Sequence, residues 1–165
     1  MELRLVGSEM CIRDRSDTVS ISDVDVHTVW NTVTADDSAV IIDVRTDAEW
    51  SYIGIPDLGE AQSKLHLISW QMAPDMRINP AFLSQLTEAG VAKDAQVFFL
   101  CRSGVRSLAA AHAAAEVGYT SCFNVAEGFR RFGGAGRQAI RWLDRQSIAG
   151  HPAQYERLVL SLIHI

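Results

Sequence analysis

The sequence predicts an α/β fold: a parallel sheet sandwiched between helices, joined by right-handed crossovers. Three observations carry this. Ala39 to Val44 and Val97 to Leu100 are short, unbroken apolar runs, the pattern of strands buried on both faces rather than on one. Val105 to Val117 is Ala-rich and closed by Gly118, where a left-handed helix cap belongs. Strand-like and helix-like segments also alternate along the chain, the arrangement that builds a parallel sheet.

In order, the first element is a short strand around Val19 to Ile21. Ser22 has N-cap chemistry, and Val26, Val29, Trp30 and Val33 follow at helical spacing. Asp36-Asp37-Ser38 marks a turn before the strand Ala39 to Val44, which carries Asp43 and Arg45 at its C-terminal end. Thr46 to Tyr52 reads as a short helix with Glu49 and Trp50, and Gly54-Ile55-Pro56-Asp57 as a turn. Leu58 to Lys64 is polar and reads as a surface loop. Leu65 to Trp70, with His66 inside it, is the next strand, and Met72 to Arg77 a connecting loop. Asn79-Pro80 starts a helix with proline at its first position; Phe82, Leu83 and Leu86 form its apolar face, and Gly90 ends it. Ser121 to Val125 is the last strand, followed by the glycine-broken basic stretch Arg130 to Arg137 and a final helix over Ala139 to Arg145, anchored by Trp142 and Leu143.

The chemistry concentrates in Cys101-Arg102-Ser103-Gly104-Val105-Arg106-Ser107, where the strand Val97 to Leu100 ends and a helix opens. Ligands of open α/β sheets lie at that edge. Loop N–H groups and the unpaired N–H groups of a helix start form a positive concavity. Arg102 and Arg106 add charge, and no acidic residue lies between Gln96 and Ala115. An ordinary free thiol, with a pKa near about 8.5, is only a few per cent ionised at neutral pH, and such surroundings favour the thiolate. The loop therefore reads as a nucleophile beside an anion cradle. A buried structural cysteine needs no flanking arginines, serine and glycine.

The 165 residues suit one domain. A net charge of −5 argues against nucleic-acid binding and sets the basic loop apart from its surroundings, which points to a small anionic substrate. Three cysteines, Cys11, Cys101 and Cys122, form no disulfide framework, which suits a reducing, cytoplasmic setting. Cys122 reads as a packed strand residue. No run reaches the roughly 18 apolar residues of a membrane span. Residues 1–16 are expected to be a disordered or non-native extension, 17–148 the domain and 149–165 a loosely ordered tail; Met10 to Arg15 and Ser161 to Ile165 resemble translated adapter sequence. His27, His66, His112 and His151 show no metal-site spacing, so no metal and no cofactor is expected. Arg130, Arg131 and Arg137 read as a solvated face, with the rim of the pocket as the alternative, and the four tryptophans as core or interface anchors. No pattern assigns an oligomeric state.

Ile42-Asp43-Val44-Arg45 with Glu49-Trp50, then Phe99 to Ser107, then Asn124-Val125 with Gly128, resemble the single-domain rhodanese-like sulfurtransferases from about Val19 to Trp142. The resemblance implies a three-layer sandwich with a central parallel five-stranded sheet flanked by helices. It also implies that Cys101 takes a sulfane sulfur from thiosulfate or a persulfide, becomes a persulfide, and passes the sulfur to a thiol, cyanide or protein acceptor. On that reading Arg102, Ser103, Gly104, Val105, Arg106 and Ser107 bind the donor. The loop N–H groups cradle it, Arg106 and Arg102 orient it, the serines donate, and Gly104 permits the backbone. Asp43, Arg45 and Glu49 are expected to form an ion-pair network supporting the site. The family's Gly-His-Ile-Pro segment here reads Tyr52-Ile53-Gly54-Ile55-Pro56, without the histidine. Two other readings stand beside this one. Rhodanese-like domains also serve as non-catalytic or regulatory binding modules. Phosphatases and arsenate reductases of related fold use a similar loop with one residue more before the arginine, and the shorter spacing from Cys101 to Arg106 favours a single sulfur over a phosphate.

Overall fold

The two apolar runs form the middle of the sheet. In the computed structural model, which describes residues 20–129, the chain forms β1 (Ser22–Val24), α1 (Val26–Ala35), β2 (Val40–Asp43) and α2 (Asp47–Ile53). A 3₁₀ helix (Gly59–Lys64) precedes β3 (Leu65–Leu67), β4 (Gln71–Met72), β5 (Arg77–Ile78) and α3 (Phe82–Glu88). Then come β6 (Gln96–Leu100), α4 (Val105–Glu116) and β7 (Ser121–Val125). Five strands pair in the order β1-β7-β6-β2-β3, every pair parallel. The expected parallel five-stranded sheet flanked by helices is therefore present, with β6 at its centre. The expectations for residues 1–16 and 149–165, for Cys11, Arg130, Arg131, Arg137, Trp142 and His151, and for the helix Ala139 to Arg145 lie outside the described residues.

Alternation along the central strands explains why both faces are covered. Ile42, Val97 and Phe99 pack with Phe82 and Leu86 of α3 and Ala110, Ala111, Ala114 and Ala115 of α4. Ile41, Phe98 and Leu100 pack on the other face with Val26, Val29 and Val33 of α1 and with Leu58 and Ala61. Each buried aliphatic or phenyl side chain is worth about 1.5–3 kcal/mol, so the two layers hold the sheet from both sides. The alanines of α4 let that helix sit close to β6 and β7. Among the described residues, no helix is long and apolar enough to cross a membrane.

Several local expectations are corrected. The first strand is Ser22–Val24, and Ser22 is not the helix cap: Asp25 caps α1, its carboxylate accepting from the Thr28 N–H at 2.7 Å. Ser22, Asp23 and Asp25 all have cap chemistry, and the residue just before the apolar face takes the role. Within the supposed loop, Gly59–Lys64 forms a 3₁₀ helix with Leu58 and Ala61 buried, while Lys64 donates to the Val33 and Asp36 carbonyls at the end of α1 (2.6 and 2.9 Å). The third strand stops at Leu67, and the supposed loop beyond it contains the antiparallel pair β4–β5. Pro80 is not the first residue of α3. Asn79 turns the chain instead, its side-chain oxygen accepting from the Ala81 N–H at 3.0 Å, and the helix begins at Phe82.

Candidate active site around Cys101

Three neighbouring strands deliver the site. Asp43 at the end of β2 is in register with Leu100, and Phe99 with Asn124, so Asp43, Cys101 and Asn124 meet at one edge. The Cys101 side chain continues the inward parity of Val97 and Phe99 and is buried. Its sulfur lies 3.1 Å from the Gly104 N–H and 3.2 Å from the Ser107 hydroxyl. Gly104 has φ of +88° and caps the 12-residue helix α4. Among the described residues, no backbone carbonyl accepts from the backbone N–H groups of Arg102, Ser103, Val105 or Arg106.

The turn after β7 underpins this loop. Phe129 N–H donates to the Cys101 carbonyl at 2.8 Å, and Gly128 passes so close that a Cβ there would lie 2.5 Å from the Arg102 carbonyl oxygen. Gly128 also has φ of +59°, so two independent constraints demand glycine. The ring of Phe129 carries the Arg45 guanidinium 3.8 Å from its centroid. Arg45, fully buried, grips Asp43 through Nε (2.9 Å to Oδ1) and Nη2 (2.6 Å to Oδ2), and Nη2 also reaches the Gly54 carbonyl at 2.9 Å. This pair ties the turn where the family histidine is missing to the strand edge.

Glu49 does not join that pair. Its carboxylate instead binds Arg106 in a fork, at 2.7 and 2.8 Å. The expected single network of Asp43, Arg45 and Glu49 is thus two separate ion pairs. Sequence proximity also misled about charge, because the acid that neutralises Arg106 comes from α2, far along the chain. Thr46 and Glu49 form a capping box that fixes the carboxylate in place, with the Thr46 N–H donating at 3.0 Å. Burial alone would raise the Glu49 carboxyl, but the hydrogen bonds from Arg106 and Thr46 outweigh it and bring it down to about 2. The Glu49 hydrogen bonds raise Arg106 in turn, against its own burial, with Cys101 among the nearby groups contributing. Arg102 and Ser103 are exposed on the loop, as is Val105.

A side-chain chain runs behind the sulfur. The Ser107 hydroxyl is 2.7 Å from Asn124 Oδ1, and Asn124 Nδ2 donates to Asp23 Oδ1 at 2.7 Å. Asp23 and Asn124 were not among the candidate residues. Asn124 and Gly128 could have been found from the Asn-Val and Gly positions of the family pattern; Asp23, on a three-residue edge strand, carries no such signal.

Residues 25–135 match the Rhodanese-like domain family, two thirds of the chain. The chain is a member of that family. An uncharacterised protein of Rickettsia rickettsii is 36% identical over 111 residues, covering 67% of this chain and 85% of the relative. The crystal structure of Rv0390 from Mycobacterium tuberculosis matches with a TM-score of 0.60 at 36% identity, covering 67% of this chain and 81% of that one. The polysulfide-sulfur transferase homodimer of Wolinella succinogenes matches in fold, with a TM-score of 0.54 at 15% identity over 76% of this chain and 82% of that one.

The other cysteine of this rhodanese-like domain is placed differently. Cys122 is buried within β7, its thiol donating to the Tyr119 carbonyl at 3.7 Å, and burial pushes it up to about 11. His27 and His112 are exposed, and burial lowers His66. Among the described residues, no three of His, Cys, Asp or Glu are grouped to hold a metal ion.

Proposed function

We propose that this rhodanese-like domain is a sulfurtransferase that moves a sulfane sulfur from thiosulfate or a related persulfide to a thiophilic acceptor through a persulfide on Cys101. The Cys101 thiolate attacks the outer sulfur of the donor. A bond forms to Sγ as the donor S–S bond breaks, and its electron pair leaves with sulfite or, for a persulfide donor, with a thiolate. A thiolate or cyanide then attacks the outer sulfur of the persulfide, giving an acceptor persulfide or thiocyanate and restoring the Cys101 thiolate.

The observation that carries the reading is the convergence of donors on one sulfur, the Gly104 N–H at 3.1 Å and the Ser107 hydroxyl at 3.2 Å, at the start of a helix whose first N–H groups have no backbone carbonyl acceptor among the described residues. Donors preset around a developing anion stabilise it without reorganisation. Gly104 N–H and Ser107 support the attacking sulfur, and the N–H groups of Ser103, Val105 and Arg106 the outer sulfur or the leaving sulfite. Arg102, exposed on the loop, meets the anionic donor; Arg106, held by Glu49, acts through its field. Burial of Cys101 favours a donor that ends in a single projecting sulfur, and the four residues between Cys101 and Arg106 agree with a cradle of that size.

The test is sulfite release from thiosulfate with cyanide or a thiol as acceptor. Turnover is expected for the wild type and abolished by Cys101→Ser. Turnover that survives that substitution overturns the proposal. So does a wild type inactive with thiosulfate and with persulfide donors, an outcome that leaves a binding module.

A further inference from the structure

The hydrogen-bond chain behind Cys101 contains one proton for two acceptors. Ser107 has a single hydroxyl hydrogen, yet its oxygen lies 3.2 Å from the Cys101 sulfur and 2.7 Å from Asn124 Oδ1. Asn124 can only accept there, because its amide nitrogen is turned the other way, donating to Asp23 Oδ1 at 2.7 Å. Ser107 and Asn124 are both buried, so the two acceptors compete away from bulk solvent.

The two charge states of the sulfur then require two arrangements. With a neutral thiol, the Ser107 proton lies on Asn124 Oδ1 and the Ser107 oxygen accepts the S–H. With a thiolate, the charged sulfur is the stronger acceptor, so the hydroxyl hydrogen turns to it and Asn124 Oδ1 loses its donor. The thiol proton itself leaves to solvent, and Ser107 only rotates.

We propose that Asn124, oriented by Asp23, is a positioning residue that competes with the Cys101 sulfur for the Ser107 proton and so sets how readily the sulfur ionises. The chain reaches the outer strand β1, where Asp23 is exposed, so a group at the sheet's edge acts on the nucleophile through two side chains. Among the described residues, the other charged groups at this end of the sheet are Arg106 on α4, Arg102 on the loop, Glu49 on α2, Asp43 and Arg45 at the end of β2, and Glu127 in the turn after β7. They remain in every variant below, so differences among variants isolate the chain.

The experiment measures the iodoacetamide alkylation rate of the Cys101 peptide against pH by mass spectrometry, with the Cys122 peptide as the unreactive control that reports intact folding. Ser107→Ala removes a donor to the thiolate and is expected to slow alkylation roughly fivefold below the midpoint, moving the profile to higher pH. Asn124→Leu removes the competitor and is expected to do the opposite, speeding alkylation roughly fivefold. In the Ser107→Ala background, Asn124→Leu is expected to add nothing. Asp23→Ala, at an exposed position, is expected to shift the profile in the direction of Asn124→Leu, and by more than Asp23→Asn, which removes the charge but keeps an acceptor. A merely structural role would slow or speed all variants alike. Shifts of the same sign for Ser107→Ala and Asn124→Leu overturn the proposal, as does an Asn124→Leu effect that persists without Ser107. If Asn124→Leu fails to fold, an Asp23→Ala profile that matches the wild type overturns it. Alkylation needs no sulfur donor, so these outcomes are independent of the sulfurtransferase test.

Discussion

Cys101 and Cys122 belong to adjacent strands of one sheet. Cys122 is in register with Val97 on β6, the strand that ends at Cys101, and both side chains face the layer of α3 and α4. Both are buried and neither forms a disulfide. Cys122 sits inside β7, where its thiol donates to the Tyr119 carbonyl and burial pushes it up to about 11, against the field of Lys93. Cys101 sits one residue past a strand, with the Gly104 N–H and the Ser107 hydroxyl at its sulfur and a helix opening in front of it. Burial disfavours the thiolate of Cys122, whereas the edge of the same sheet places a backbone N–H and a hydroxyl at the Cys101 sulfur.

The largest effect is expected when each thiol is removed in turn. Cys101→Ser is expected to reduce sulfur transfer to background, whereas Cys122→Ala leaves turnover within about twofold of wild type, in the same sulfite-release assay. Comparable losses for both would remove the distinction.

Next in size is the floor of the loop. In Gly128→Ala, the added carbon would meet the Arg102 carbonyl group at 2.5 to 2.7 Å, at a residue with φ of +59°. Either the loop moves or the turn does, at a cost of roughly 2 kcal/mol or more. Thermal melting is expected to fall by roughly 5–10 °C, and Cys101 alkylation to change while Cys122 stays unreactive. An unchanged melt would mean the turn does not brace the loop.

Glu49→Gln gives a smaller, pH-dependent effect. Gln keeps the capping box with Thr46 but cannot ionise against Arg106. The Glu49 carboxyl lies near 2 in the folded protein against an ordinary value of 4.5, so the unfolded chain binds the proton more readily. The stabilisation is thus fully present above about pH 4.5 and is lost as pH falls through about 2. Denaturant melts are expected to show wild type more stable than Glu49→Gln at neutral pH, with the gap closing across that window. A gap independent of pH would show that the ion pair does not carry it. The smallest effect is on the other cysteine, since Cys122→Ala removes one packed sulfur and is expected to cost about 1 kcal/mol.

Much of the fold was legible because it rests on local signals. The unbroken runs at Val40 and Val97 identified strands covered on both sides, and the alanines up to Gly118 identified α4. The loop at Cys101 was legible for the same reason, its residues being contiguous. What escaped was short or distant. Strand β1 has three residues, too few for alternation to register, and several nearby residues could cap a helix. The fork from Glu49 to Arg106 spans 57 residues and the bond from Asp23 to Asn124 spans 101, and no periodicity links such positions. Hence the charge on Arg106 looked uncompensated in sequence, and the part of Asp23 behind Asn124 carried no signal to read.

On the proposed mechanism Cys101, and not Cys122, carries the sulfur. Peptide mass spectrometry after incubation with thiosulfate or a persulfide tests it directly. One added sulfur atom on the Cys101 peptide, absent from the Cys122 peptide and removed by a thiol acceptor, is the result expected; added sulfur on Cys122 instead, or none on Cys101 with either donor, would contradict it.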